Sequence, residues 1–174
     1  MTFTRRSLIA SGFSIPFLGL PRASRSEGWG RGDVGQALPY ARSGITTGEI
    51  KAVYTRDGLA ISGYDPVAYF TEGRPVPGSD RHRLRWHGAV WQFASEVNRR
   101  AFEMNPAVYA PQFGGYCAYT VANGYPMKAE PDVWTIHEGC LYLNFNASIR
   151  ILWQRDMVHY IALARENWRS FDKS

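Results

Sequence analysis

The sequence predicts a small α+β domain: two β-hairpin–helix units closed by a C-terminal helix. Three observations predict it. A tight-turn glycine between two alternating segments, followed by a cap and a helical spacing, occurs at Gly88 and again at Gly139. The two occurrences lie about 51 residues apart, and Phe102 and Trp153 keep the same interval. Finally, Ile161, Ala164 and Trp168 form an apolar stripe at helical spacing near the end of the chain.

Taken in chain order, residues 1–26 come first. Arg5 and Arg6 stand directly before the apolar run Leu8 to Leu20, and small residues follow from Ala23 to Ser26. That is the layout of a cleavable signal peptide. Gly12, Pro16 and Gly19 interrupt the run, whereas a bilayer span needs roughly 20 apolar residues in succession. The segment resembles a twin-arginine export signal, with Leu8 and Ala10 in place of its usual Phe and Lys. That resemblance implies a chain exported already folded, to the periplasm or beyond. Cleavage after Ala23 and after Ser26 both fit.

Loss of Arg5, Arg6, Arg22 and Arg25 leaves 16 of the 20 basic residues against 15 acidic ones, a net charge of +1. The basic character of the chain therefore belongs to the signal, which argues against nucleic acid as a partner. No other apolar run is long enough to span a membrane, so no stable span is expected after signal cleavage. Residues 27–49, rich in Gly, Arg and Ser, read as a flexible linker. Residues 50–172 form the domain, long enough for one hydrophobic core.

Within the domain, Tyr64-Asp65-Pro66 reads as a turn into a short helix, with Asp65 as N-cap and Pro66 at the first helical position. Leu84 and Trp86 alternate with arginines, His87-Gly88 supplies a two-residue turn, and Trp91 and Phe93 flank Gln92. Ser95 caps a helix over Glu96 to Met104, with Val97, Ala101 and Met104 expected toward the core. Val133 to Ile136 and Cys140 to Phe145 are strands joined by His137-Glu138-Gly139, and Asn146 caps the next helix. Met157 to Trp168 is the closing helix.

The stretch from Ile61 to Phe171 resembles the YHS-domain family, in an exported and cysteine-poor form. The resemblance is carried by Gly63-Tyr-Asp-Pro-Val-Ala-Tyr-Phe70, Trp86-His-Gly88, Trp91-Gln-Phe-Ala-Ser95 and Tyr109-Ala-Pro-Gln-Phe-Gly-Gly-Tyr-Cys-Ala118. Leu141-Tyr-Leu-Asn-Phe-Asn146 and Glu166-Asn-Trp168 complete it. It implies an accessory module associated with soft metals. However, the family's thiolate positions read Ala68, Ala94 and Asn98 here, so that ligand set does not carry over.

Cys117 is a family position that this chain keeps. A thiolate suits copper(I) or another soft metal, and Met127 or Met104 has a thioether to add. The alternatives for Cys117 are core packing or a disulfide to Cys140. Tyr64, Asp65, Tyr69 and Tyr116 are candidates to line a small-ligand pocket. His87 and His137 fall at hairpin tips, His82 in a loop among arginines and His159 on the closing helix, all settings that favour structural roles. No serine-nucleophile elbow, zinc-protease motif, phosphate loop or dinucleotide fingerprint is present. The expectation is a non-catalytic module binding a metal, a small ligand or a protein. The rivals are a structural interaction domain and an enzyme pairing Cys117 with a histidine.

Overall fold

The structure, a computed structural model, describes residues 52–171. The expected signal peptide (1–26) and the whole of the expected linker (27–49) lie outside these residues. The class is α+β. The first sheet has the order β1-β2-β4-β3, from β1 (Thr55–Arg56), β2 (Leu59–Ala60), β3 (Ser79–Trp86) and β4 (Ala89–Phe93). β5 (Glu130–His137) and β6 (Cys140–Asn144) form a second, antiparallel pair. The helices are α1 (Ala68–Thr71), α2 (Glu96–Met104), α3 (Pro106–Tyr109), α4 (Ala118–Ala122), α5 (Ala147–Gln154) and α6 (Met157–Phe171). None of them is long and apolar enough to cross a membrane.

The hairpin β3–β4 turns at His87-Gly88, with φ of 48° and 76°, the left-handed pair that a two-residue turn of a twisted hairpin requires. β5–β6 turns at Glu138-Gly139, with φ of 49° and 73°. His137 is thus not at a tip; it pairs with Cys140 and closes its strand. His82 likewise lies in β3, with Nδ1 3.5 Å from Glu96 Oε2, rather than in a loop. β1–β2, joined by Asp57-Gly58, is a hairpin that the sequence reading passed over despite its Asp-Gly signal.

Both longer hairpins run into capped helices. Ser95 Oγ accepts from Asn98 N at 3.2 Å, and Asn146 Oδ1 accepts from Ile149 N at 2.9 Å. Equivalent boundaries are 51 residues apart: Ser79 and Glu130, Ala89 and Cys140, Glu96 and Ala147. Each hairpin also carries an irregularity at the same step, between Ser79 and Arg83 and between Glu130 and Trp134.

The face of α2 differs from expectation. Val97 and Met104 are 75% and 86% exposed, while Phe102 is buried and Ala101 is half-buried against the core. Phe102 decides the orientation, because its ring meets Trp86, Trp91 and Phe93 at 4.9–5.5 Å. A second cluster gathers Tyr142, Trp153 and Phe113 with Ile161 and Ala164 of α6, the stripe the spacing predicts.

Candidate functional site

Three places collect the chemistry of this domain. The first is the corner at Asp65, whose side chain is buried. Its Oδ1 accepts from Val67 N at 2.8 Å and Ala68 N at 3.4 Å, and its Oδ2 accepts from Ala94 N at 2.8 Å and Asn98 Nδ2 at 2.7 Å. Asp65 thus ties the turn before α1 to the junction of β4 and α2. The N-cap position of α1 is Val67, so Asp65 holds the turn from two residues before the cap rather than standing at it. Pro66 lies in the turn ahead of α1 rather than at its first residue. The positions Ala68, Ala94 and Asn98, where the resemblance puts thiolates, all lie against this carboxylate.

Tyr69 is also sealed in. Its hydroxyl donates to Pro131 O at 3.0 Å, its ring meets Trp134 edge-on at 5.4 Å, and burial pushes its phenol pKa far up. Tyr64 is half-buried and bridges to Pro77 through its backbone. Tyr116 packs elsewhere, against Tyr54 at 5.4 Å and Trp168 at 5.8 Å. The four residues expected to line one pocket are therefore divided between the Asp65 corner and the face of α6. Asp65 and Tyr69 are committed to the core.

The second place is the corner at Cys117. Its thiol is fully buried, its backbone N–H donates to Met127 O at 2.9 Å, and Asn144 Nδ2 lies 3.9 Å from Sγ. Asn144 is equally buried, and its Oδ1 finds no partner among the described residues. Cys117 and Cys140 are free thiols, with no bridge between them. Met127 meets Cys117 through its carbonyl, while Met104 is exposed on α2. Among the described residues no three His, Cys, Asp or Glu side chains gather in a metal-binding group.

The third place is a groove. A cavity of about 410 Å³ is lined by Trp86, Pro111, Phe113, Arg165, Trp168 and Arg169. A second, of about 190 Å³, adjoins it, sharing Trp86, Pro111 and Trp168 and adding His87 and Trp91. Trp86 ends β3 just before the turn. Its carbonyl accepts from Trp91 Nε1 at 3.0 Å, its ring meets Phe102 edge-on at 5.5 Å, and His87 stacks on it at 3.9 Å.

Trp168 lines both cavities as well. The buried Ile161 and Ala164 seat α6, and Asn167 Nδ2 donates to Val121 O and Ala122 O at 3.0 Å, fixing the helix one residue before the indole. Phe113 and Tyr116 support the Trp168 ring at 6.2 and 5.8 Å. The floor needs its glycine. Gly114 has φ of 59°, and a Cβ there would lie 2.1 Å from Ala52 O.

Arg165 and Arg169, one helical turn apart, are exposed on either side of Trp168. Neither forms an ion pair among the described residues. Arg165 lies beside the Tyr142 phenol, whose pKa is raised by burial and by Cys140 and lowered by that arginine. The groove escaped the sequence reading because its walls come from residues about 80 apart (Trp86 and Trp168), a separation local patterns cannot register.

No family profile, curated protein or solved structure matches the chain.

Proposed function

We propose that this chain is a non-catalytic accessory module that holds a small ligand in the groove between Trp86 and Trp168. The observation that carries the reading is the pair of adjoining cavities sharing those two indoles. Pockets for small molecules are mostly apolar, with a few placed polar groups, and run from roughly 300 to 1,000 Å³. Two walls braced by other aromatic rings give such a pocket before any ligand arrives, which limits the entropy cost of binding.

We keep the YHS-like reading, with two hairpin–helix units, as part of this proposal. The meeting of Ala68, Ala94 and Asn98 at one corner supports it. The metal half of the expectation has less support than the small-ligand half. Cys117 is fully buried, and its sulfur lies 3.9 Å from the Asn144 amide nitrogen. Export by the twin-arginine route, to the periplasm or beyond, belongs to the same proposal and rests on residues 1–26.

The test is tryptophan fluorescence of the mature protein with a panel of small flat aromatic compounds, for the native chain and for Trp168→Leu. At least one compound should bind the native protein and lose about tenfold or more in affinity in the variant, as expected where an aromatic wall supplies the contact. A panel without a single binder, or binding unchanged by Trp168→Leu, contradicts the proposal.

A further inference from the structure

We propose that the groove selects an anion: a flat apolar molecule carrying a carboxylate, its body between Trp86 and Trp168 and its charge at Arg165 and Arg169. This deepens the proposed function and rests on the groove being the binding site. The two arginines line the larger cavity with Trp168 between them on α6. Both are exposed, and neither is satisfied by a carboxylate among the described residues.

That pattern contrasts with the arginines of α2. Arg99 and Arg100 of α2 are both held by Glu96, at 2.8 and 3.0 Å. On α6, the arginines that face the cavity have no such acid. Among the described residues no Asp or Glu lines either cavity. Guanidinium groups present a planar fork that matches a carboxylate, and next to an aromatic floor they are partly shielded from water. A neutral flat molecule would gain the ring contacts but leave the arginines to solvent. A concave volume of about 410 Å³ suits a molecule of one or two rings better than a chain of residues.

The experiment is calorimetry of the mature protein with naphthalene carboxylate and with the uncharged naphthalene carboxamide, at low and at high salt. The carboxylate should bind about tenfold or more tightly than the amide at low salt, the advantage shrinking as salt screens the arginines. In Arg165→Gln/Arg169→Gln the advantage should fall to about twofold or less, the carboxylate losing far more affinity than the amide. Both side chains are exposed, so folding should be retained. Arg169→Gln alone, which leaves Tyr142 undisturbed, should show an intermediate loss if the double variant does not fold.

Equal affinity for acid and amide, with both lost in Trp168→Leu, would overturn the anion selection and leave the groove as an apolar site. No binding of either compound would overturn both. Tighter binding of an acidic tryptophan-containing pentapeptide than of the carboxylate would make the face a protein-docking surface, and the small-ligand inference would fall.

Discussion

The corners at Asp65 and Cys117 share a backbone frame and differ in what fills it. Each follows three successive residues with positive φ, Ile61 to Gly63 and Phe113 to Gly115, and then a tyrosine. Each precedes a short helix. The Asp65 N–H donates to Val76 O at 2.8 Å and the Cys117 N–H to Met127 O at 2.9 Å, and those two acceptors are again 51 residues apart. In the first corner four N–H groups close on a carboxylate. In the second a thiol sits beside an amide whose oxygen is unpaired, Asn144 occupying the place that Phe93 has in the first hairpin. One corner is a finished polar lock and the other a mostly apolar plug with one loose polar atom. Neither opens a cavity described here. The groove lies instead where the likeness between the two hairpins ends, between the tip of the first and the long helix that follows the second.

The largest effects should show where the corners are alike in packing. Phe102→Ala and Trp153→Ala each empty the buried ring position of the helix after a hairpin, and each should destabilise by about 3–5 kcal/mol in urea unfolding. A loss under about 1 kcal/mol in one of them would break the parallel between the two hairpins and the helices that follow them.

The corners themselves should separate next. Asp65→Ala strands Ala94 N–H, Asn98 Nδ2 and the turn amides, at about 1–3 kcal/mol for each buried donor left unpaired, so a total near 3 kcal/mol or above is expected. Cys117→Ala removes one sulfur and leaves few polar groups behind, and should cost about 1–2 kcal/mol. Equal losses by the same measurement would show that the thiol corner is as tightly built as the carboxylate corner.

A sharper version exchanges the amides. Asn98→Leu takes a donor from Asp65 and should cost about 1–3 kcal/mol, whereas Asn144→Leu removes an unpaired oxygen at similar volume and should stay within about 1 kcal/mol of native.

The smallest difference is acid sensitivity. Hydrogen bonds from Arg99 and then Arg100 hold the Glu96 pKa down to about 2 from an ordinary 4.5, while the matching position in the second unit is Ala147. A depressed pKa supports the folded state above the ordinary value, and that support is lost as pH falls through the depressed one. Carboxyl NMR should therefore place Glu96 near 2, with α2 loosening below about pH 4.5 before α5. Titration of Glu96 at an ordinary value would remove this asymmetry.

Much of the fold was legible because it is local. Caps at Ser95 and Asn146, the His87-Gly88 turn and the stripe Ile161, Ala164, Trp168 follow from neighbours a few residues away. The orientation of α2 was not legible, since Val97 and Met104 satisfy helical spacing as well as Phe102 does. Only the three rings around Phe102 decide between them. The groove and the residues singled out from the sequence lie in different segments for a related reason. Asp65 and Tyr69 attract attention as polar groups in an aromatic motif, and that motif is spent on the core. Pro111, Arg165 and Arg169 are unremarkable until the fold sets them opposite Trp86.

The most direct test of the groove as the binding site is an amide and indole NMR map of the protein at saturating naphthalene carboxylate. Shifts should concentrate at the Trp86 and Trp168 indoles, His87 and the Arg165–Arg169 turn, with the amides of Cys117, Met127 and Asn144 still. Shifts centred on Cys117 and Met127, with both indoles unmoved, would place the site at the thiol corner and contradict this reading.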